Sequence, residues 1–110
     1  MQQDGSLSVQ DAMTLLWVRF LPHLEERVLV LERASVALLH ESFAPAECAE
    51  GVAAAHKLAG VLGSFGLAEG TLLAREAEGL FSDAARPDPA ASARVSEIAS
   101  QLRLMIAEWQ

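Results

Sequence analysis

The sequence predicts an all-α protein: an up-down antiparallel four-helix bundle with an additional N-terminal helix lying across it as a lid. Apolar residues recur at intervals of three and four along most of the chain, a spacing typical of amphipathic helices. Alanine and leucine dominate a composition that is 52% apolar and lacks tyrosine, and such residues favour helix. Short connections between helices favour antiparallel neighbours. At 110 residues, the chain fits one domain, residues 1–110.

The first two helices are expected over residues 8–20 and 22–42. Ser8, followed by Asp11, has the pattern of a helix N-cap. Proline lacks a backbone N–H and disrupts a helix interior, so Pro22 should end or kink the first helix. The predicted core face of the first helix comprises Val9, Ala12, Met13, Leu16 and Phe20, and that of the second comprises Leu24, Val28, Leu31, Ser35, Leu38 and Leu39.

Proline and glycine delimit the later helices. Pro45 and Pro89 suit the first turn of a helix, and Asp88 suits the N-cap before Pro89. Gly66 accepts the left-handed conformation that closes a helix. These signals predict three helices, over residues 45–64, 67–84 and 89–109.

The charge and cysteine content exclude several classes of function. A formal net charge of −7 argues against binding nucleic acid or an anionic membrane, because both need clustered Lys and Arg on the protein. Cys48 is the single cysteine, so we expect a small buried residue and no disulfide framework. No apolar run reaches membrane-spanning length, and the polar N-terminus is unlike a signal peptide. We therefore expect a cytoplasmic domain, with a monomer as the simplest state.

The third predicted helix has an unusual face around His56. At about 100° of rotation per residue, the core stripe lies opposite this histidine, so the imidazole should point away from the core. The residues on its own side are mostly small. The core stripe comprises Ala54, Leu58, Val61, Leu62 and Phe65, and the opposite side comprises Ala49, Val52, Ala53, Ala59, Gly60 and Gly63.

Gly60 and Gly63 indicate a functional site, because glycine inside a helix costs about 1 kcal/mol relative to alanine. The gain we expect is access for the surface of a second protein to the imidazole of His56. A neutral imidazole can take a phosphoryl group directly, without the separate base that a hydroxyl needs. Lys57, about 100° further round the helix, could offer positive charge to the product. The spacing alone leaves open a plain surface histidine beside glycines that permit close helix packing.

The segment from Ala55 to Leu67, AHKLAGVLGSFGL, resembles the signature of histidine-containing phosphotransfer (HPt) domains. It has the acceptor histidine, leucine two residues later, glycine four residues later, small residues one turn further on and then an apolar–glycine pair. The segment Leu72–Glu78 is similar to the following helix of the family. The stretch Leu16–Leu39 is similar to the long first helix of HPt domains attached to bacterial response regulators.

The resemblance implies a phosphorelay intermediate of a bacterial two-component signalling system. His56 would accept a phosphoryl group and exchange it with the Asp of a response-regulator receiver domain, and a histidine kinase is the other expected partner. The chain would be a phosphoryl carrier and not an enzyme, with no cofactor of its own, because the receiver supplies Mg²⁺. Many family members have lysine where this chain has Ala59. The resemblance implies that Gly60 and Gly63 keep the site open, and it makes Lys57 a candidate phosphate contact. The helical spacing adds Val52, Ala53 and Ala59 to the residues expected to leave access to His56.

The sequence also bears on other functions and sites. A helical interaction module that binds a receiver or kinase without phosphorylation is the alternative, and a buried His56 would favour it. An enzyme acting on a small molecule lacks convergent polar groups, and no Glu-x-x-His pair supports a metal site. His23 and His40 are expected to be capping or surface residues. Leu29 and Val36, off the main stripe, should pack under the first helix or extend a docking surface beside His56.

Overall fold

The computed structural model describes residues 8–39 and 45–109. Within these ranges the chain forms four helices and no strand, which confirms the predicted all-α class. The bounds of the last three helices lie within one residue of those predicted. No helix among the described residues is both long enough and apolar enough to cross a membrane. The helices are α1 (Val9–Ala37), α2 (Pro45–Ser64), α3 (Ala68–Asp83) and α4 (Pro89–Glu108).

The predicted separate lid helix over residues 8–20 is wrong, because α1 continues unbroken through Pro22. A proline inside a helix removes one backbone hydrogen bond, and Pro22 lies at an exposed position of α1. Packing of the N-terminal half of α1 offsets the loss. Trp17 is buried there, stacks on Trp109 with ring centroids 4.6 Å apart and meets Phe65 edge-on at 5.0 Å.

Along and just after α1, three positions that were predicted to face the core are exposed. Val9, Leu16 and Leu39 are exposed, although their spacing placed them on the core face. The helix ends at Ala37, short of the predicted residue 42. The rest of the predicted helix, residues 40–42, includes His40 and lies outside the described part of the chain.

The predicted helix ends are confirmed by their hydrogen bonds. The Ser8 side chain accepts from the backbone N–H of Asp11 over 3.0 Å, and the Asp88 carboxylate accepts from the N–H of Ala91 over 3.1 Å. Gly66 has a φ of 78°, the left-handed conformation expected after α2. The N–H of Gly66 and that of the next residue donate back to carbonyls in the last turn of α2, which satisfies acceptors that a helix end leaves free.

The helices pack in a cycle, in which α1 and α3 each contact both α2 and α4. Trp17, near the start of α1, meets Phe65 and Trp109 at the ends of α2 and α4. At the other end of the bundle, the N–H of Asp88 donates to the carbonyl of Leu38 over 2.7 Å. The core lies between the four helices. Its largest fully buried side chains are Phe81, Leu24, Leu31, Leu38, Leu58, Leu62, Ile98, Leu102, Val28 and Val95.

Cys48 belongs to this core, as expected for a single cysteine outside a disulfide framework. It is 4% exposed and has no disulfide partner among the described residues. Burial, and to a smaller extent the charge of Glu47, raises the pKa of the Cys48 thiol above its usual range. The thiol is therefore largely protonated at neutral pH and serves as a small apolar side chain.

Candidate functional site

His56 lies near the middle of α2 and points into solvent, with 76% of its side chain exposed. The core residues Ala54, Leu58 and Leu62 of the same helix are buried. The outward orientation predicted from helical spacing is therefore confirmed. An exposed imidazole on a rigid helix is available to a second macromolecule without any rearrangement of the bundle.

The surface around His56 is open on most sides, but not at Ala59. Ala53, Gly60 and Gly63 are exposed and Val52 is half-buried. Ala59 is only 5% exposed, because α3 covers this side of α2, where the Thr71 hydroxyl donates to the carbonyl of Ala59 over 3.0 Å. The expectation that Ala59 contributes to the open surface is therefore wrong.

The two glycines that follow His56 differ in what surrounds them. A Cβ atom added at Gly63 would lie 3.2 Å from Oγ1 of Thr71, so this glycine permits the close approach of α3. A Cβ atom added at Gly60 would have no described neighbour within 4 Å. Packing within the described chain thus explains the glycine at position 63 and does not explain the one at position 60, which carries the same helix-propensity cost.

A carboxylate on α3 faces the imidazole. Oε2 of Glu78 lies 3.3 Å from Nδ1 of His56, and the Glu78 side chain is 30% exposed. The pair leaves the second ring nitrogen, Nε2, on the side of the ring that faces away from this carboxylate. Nε2 is therefore the ring nitrogen that Glu78 does not contact.

Sequence reasoning missed Glu78 as a site residue. The sequence connects Glu78 with the family only through the similarity of the segment Leu72–Glu78 to a helix of HPt domains. Which residue of α3 stands opposite His56 depends on the register between the two helices. That register follows from tertiary contacts, such as the one between Gly51 and the ring of Phe81, which the helical period alone does not specify.

The other residues singled out from the sequence lie on the surface of the bundle. Lys57 is exposed and forms no ion pair with the described residues. His23 is exposed, as expected for a surface residue, although it lies within α1 and not near a helix start. Leu29 and Val36 are 44% and 49% exposed, so the prediction that a first helix covers them is wrong.

No group of three or more His, Cys, Asp or Glu side chains in residues 8–39 and 45–109 is arranged to hold a metal ion.

A helical bundle that displays one histidine on a face of small residues has the architecture of a phosphocarrier module. The family model of the Hpt domain matches residues 15–110, and the chain therefore belongs to the Hpt domain family. Domains of this family carry phosphoryl groups in two-component signalling, where they interact with response regulators and kinases. They are carrier modules and not enzymes. No curated protein and no solved structure matches the chain.

Proposed function

We propose that His56 accepts a phosphoryl group on Nε2 and exchanges it with the Asp of a response-regulator receiver domain. The observation that carries this proposal is the exposure of His56 at mid-helix, beside an interior glycine that packing among the described residues does not require. Family membership supports phosphotransfer in general, and the geometry of this histidine supports the assignment to this residue.

Glu78 supports Nε2 as the reacting atom. Its carboxylate lies beside Nδ1 and would accept a hydrogen bond from an Nδ1–H group, so the neutral ring would present its lone pair at Nε2. The same carboxylate would limit rotation of the ring. An oriented nucleophile reduces the entropy that the reaction must otherwise lose on reaching its transition state.

The transfer balances without an added base. The Nε2 lone pair forms the new N–P bond as the P–O bond to the aspartyl carboxylate breaks, and that carboxylate leaves with the bonding electrons. The ring keeps its Nδ1 proton and gains positive charge, which the neighbouring Glu78 carboxylate would offset. The reverse reaction returns the phosphoryl group to Asp by the same steps.

Gly60 supports docking of a protein partner close to His56. It lies one turn beyond the histidine, where a longer side chain would stand beside the imidazole. A helical interaction module without phosphotransfer would have no need for an exposed imidazole, and its expected feature, a buried His56, is absent from the described structure.

Several finer expectations belong to this proposal. The contacts of the helix ends support an up-down antiparallel bundle. We propose a bacterial, cytoplasmic carrier that acts as a monomer with a receiver domain or a histidine kinase, and that binds no nucleic acid or membrane. It would bind no cofactor itself, and Mg²⁺ would reside in the receiver.

A small-molecule phosphodonor tests the acceptor without knowledge of the natural partner. Incubation with phosphoramidate should give one phosphohistidine signal in the ³¹P NMR spectrum, with the chemical shift of the Nε2 isomer. The variant His56→Gln should give none. The matched control is His23→Gln, because His23 is also an exposed helical histidine and its loss should leave the signal unchanged.

Exchange with a receiver then tests the partner class. Phosphorylated protein is mixed with receiver domains of response regulators in the presence of Mg²⁺, and the label should move from His56 to the aspartate of at least one of them. A phosphohistidine signal that persists in His56→Gln would contradict the acceptor assignment. Failure of every receiver to draw label from a phosphorylated wild type would contradict the proposed partner.

A further inference from the structure

Phosphorylation of His56 would create a local excess of negative charge. A phosphoryl group carries close to two negative charges near neutral pH. Here it would be added to a ring whose other nitrogen lies 3.3 Å from the carboxylate of Glu78. The positive charge that the ring gains offsets only part of this negative charge, so a further cation beside the phosphoryl group would stabilise the phosphorylated form. Two cationic side chains near His56, Lys57 and Arg75, are candidates for this role.

Lys57 is adjacent in sequence but lies on the other side of α2. It is rotated by about 100° from His56, away from the helix side that α3 covers at Ala59. The imidazole, in contrast, approaches α3 through its contact with Glu78. Because Nε2 faces away from Glu78, a cation on α3 must reach past the ring to contact a phosphoryl group there, which requires a side chain as long as that of arginine.

Two contacts, one before and one after Arg75 along α3, show which side of that helix Arg75 lies on. Four residues before it, the Thr71 hydroxyl donates to the carbonyl of Ala59, and three residues after it, Glu78 meets His56. Residues three and four apart lie on the same side of a helix, about 5–6 Å from each other. Arg75 therefore lies on the side of α3 next to α2, close to the level of His56.

The side chain of Arg75 is available for a ligand. The residue is exposed and forms no ion pair with any residue in the described ranges. A guanidinium offers two parallel N–H donors to phosphate oxygens, and its long stem reaches beyond the neighbouring turn. Arg94, a described arginine at the α3–α4 contact, is by comparison already engaged by Glu76 and Glu97.

We propose that Arg75 binds the phosphoryl group carried by Nε2 of His56 and offsets its negative charge, a role that rests on the proposed function. The unphosphorylated protein does not require this contact. Because Arg75 is a surface residue on α3, its replacement by glutamine leaves the core unchanged. The effect of the replacement is therefore expected in the phosphorylated form alone.

The test is a pH titration of the phosphorylated protein followed by ³¹P NMR, after labelling with phosphoramidate. A cation in contact with the phosphoryl group lowers the pKa of its second ionisation, so Arg75→Gln should raise that pKa by roughly half a unit or more. Arg75→Lys should restore most of the wild-type value. Lys57→Gln should move it less than Arg75→Gln does, and Arg19→Gln, which removes an exposed arginine of α1, should leave it unchanged.

The results distinguish failure of the role proposed for Arg75 from failure of the acceptor role proposed for His56. A phosphorylated wild type with an unaltered titration in Arg75→Gln overturns the role of Arg75 and leaves His56 as the acceptor. A larger shift in Lys57→Gln than in Arg75→Gln also overturns it, in favour of the lysine. A wild type that acquires no phosphohistidine overturns both proposals. Thermal unfolding of unphosphorylated Arg75→Gln should match wild type, and a lowered midpoint would show that the arginine serves the fold instead.

Discussion

Replacement of Gly60 by alanine should make the protein more stable. Glycine in a helix interior is less favourable than alanine by about 0.8–1.0 kcal/mol. The added Cβ would meet no described atom within 4 Å, so no packing cost opposes the gain. For a domain of this size, about 1 kcal/mol corresponds to a rise of roughly 4 °C in Tm. Circular dichroism at 222 nm during heating measures that shift.

Gly51 provides the matched comparison, since it is also an interior glycine of α2. A Cβ there would lie 2.7 Å from Cε2 of Phe81, in a buried and tightly packed place. Overpacking of a core costs about 1–3 kcal/mol, which cancels or exceeds the propensity gain. Gly51→Ala should therefore melt at or below the wild-type temperature, whereas Gly60→Ala should melt above it.

A longer side chain at position 60 separates stability from function. Gly60→Gln keeps good helix propensity and should still react with phosphoramidate, because that donor is small. It should slow exchange with a receiver domain at least tenfold, since the side chain would stand between the partner and His56 (tenfold corresponds to about 1.4 kcal/mol). The reasoning would be refuted by a lower melting temperature in Gly60→Ala, or by exchange at the wild-type rate in Gly60→Gln.

Two further predictions follow from the perturbed ionisable groups. Hydrogen bonding from Arg94 lowers the pKa of Glu76, so this pair should stabilise the fold above the ordinary glutamate pKa of about 4.3. That contribution is lost as the pH falls through the lowered pKa, so the urea midpoints of wild type and Glu76→Gln should converge in acid; a constant gap between pH 7 and pH 3 would contradict this. Because burial raises the pKa of the Cys48 thiol, the native protein should react with a disulfide reagent far more slowly than the urea-unfolded protein, and equal rates would contradict the buried placement.

The helical period and the cap residues predicted much of the fold. Ser8, Asp88 and Gly66 act through bonds within a few residues, so local sequence is sufficient to identify them. The same is true of the outward direction of His56, which depends only on rotation about one helix axis. Features of this kind require no knowledge of which helices are neighbours.

The errors concern interactions between distant residues. Pro22 was expected to break α1, but packing around Trp17 keeps the helix continuous. Ala59 was expected to be open, but α3 covers it. Glu78 was missed because the register between α2 and α3 places it beside the histidine. In each case, a tertiary contact outweighed or supplemented a local rule.

The stacked indoles of Trp17 and Trp109 determine what optical spectroscopy can report on this protein. The sequence contains these two tryptophans and no tyrosine, so emission excited at 295 nm originates at the end of the bundle where their rings stack 4.6 Å apart. Two such close chromophores should couple their electronic transitions and give a paired positive and negative band in the circular dichroism spectrum. If α1 separates from α4 before the helices unfold, this pair of bands should disappear at a lower temperature than the helical signal at 222 nm.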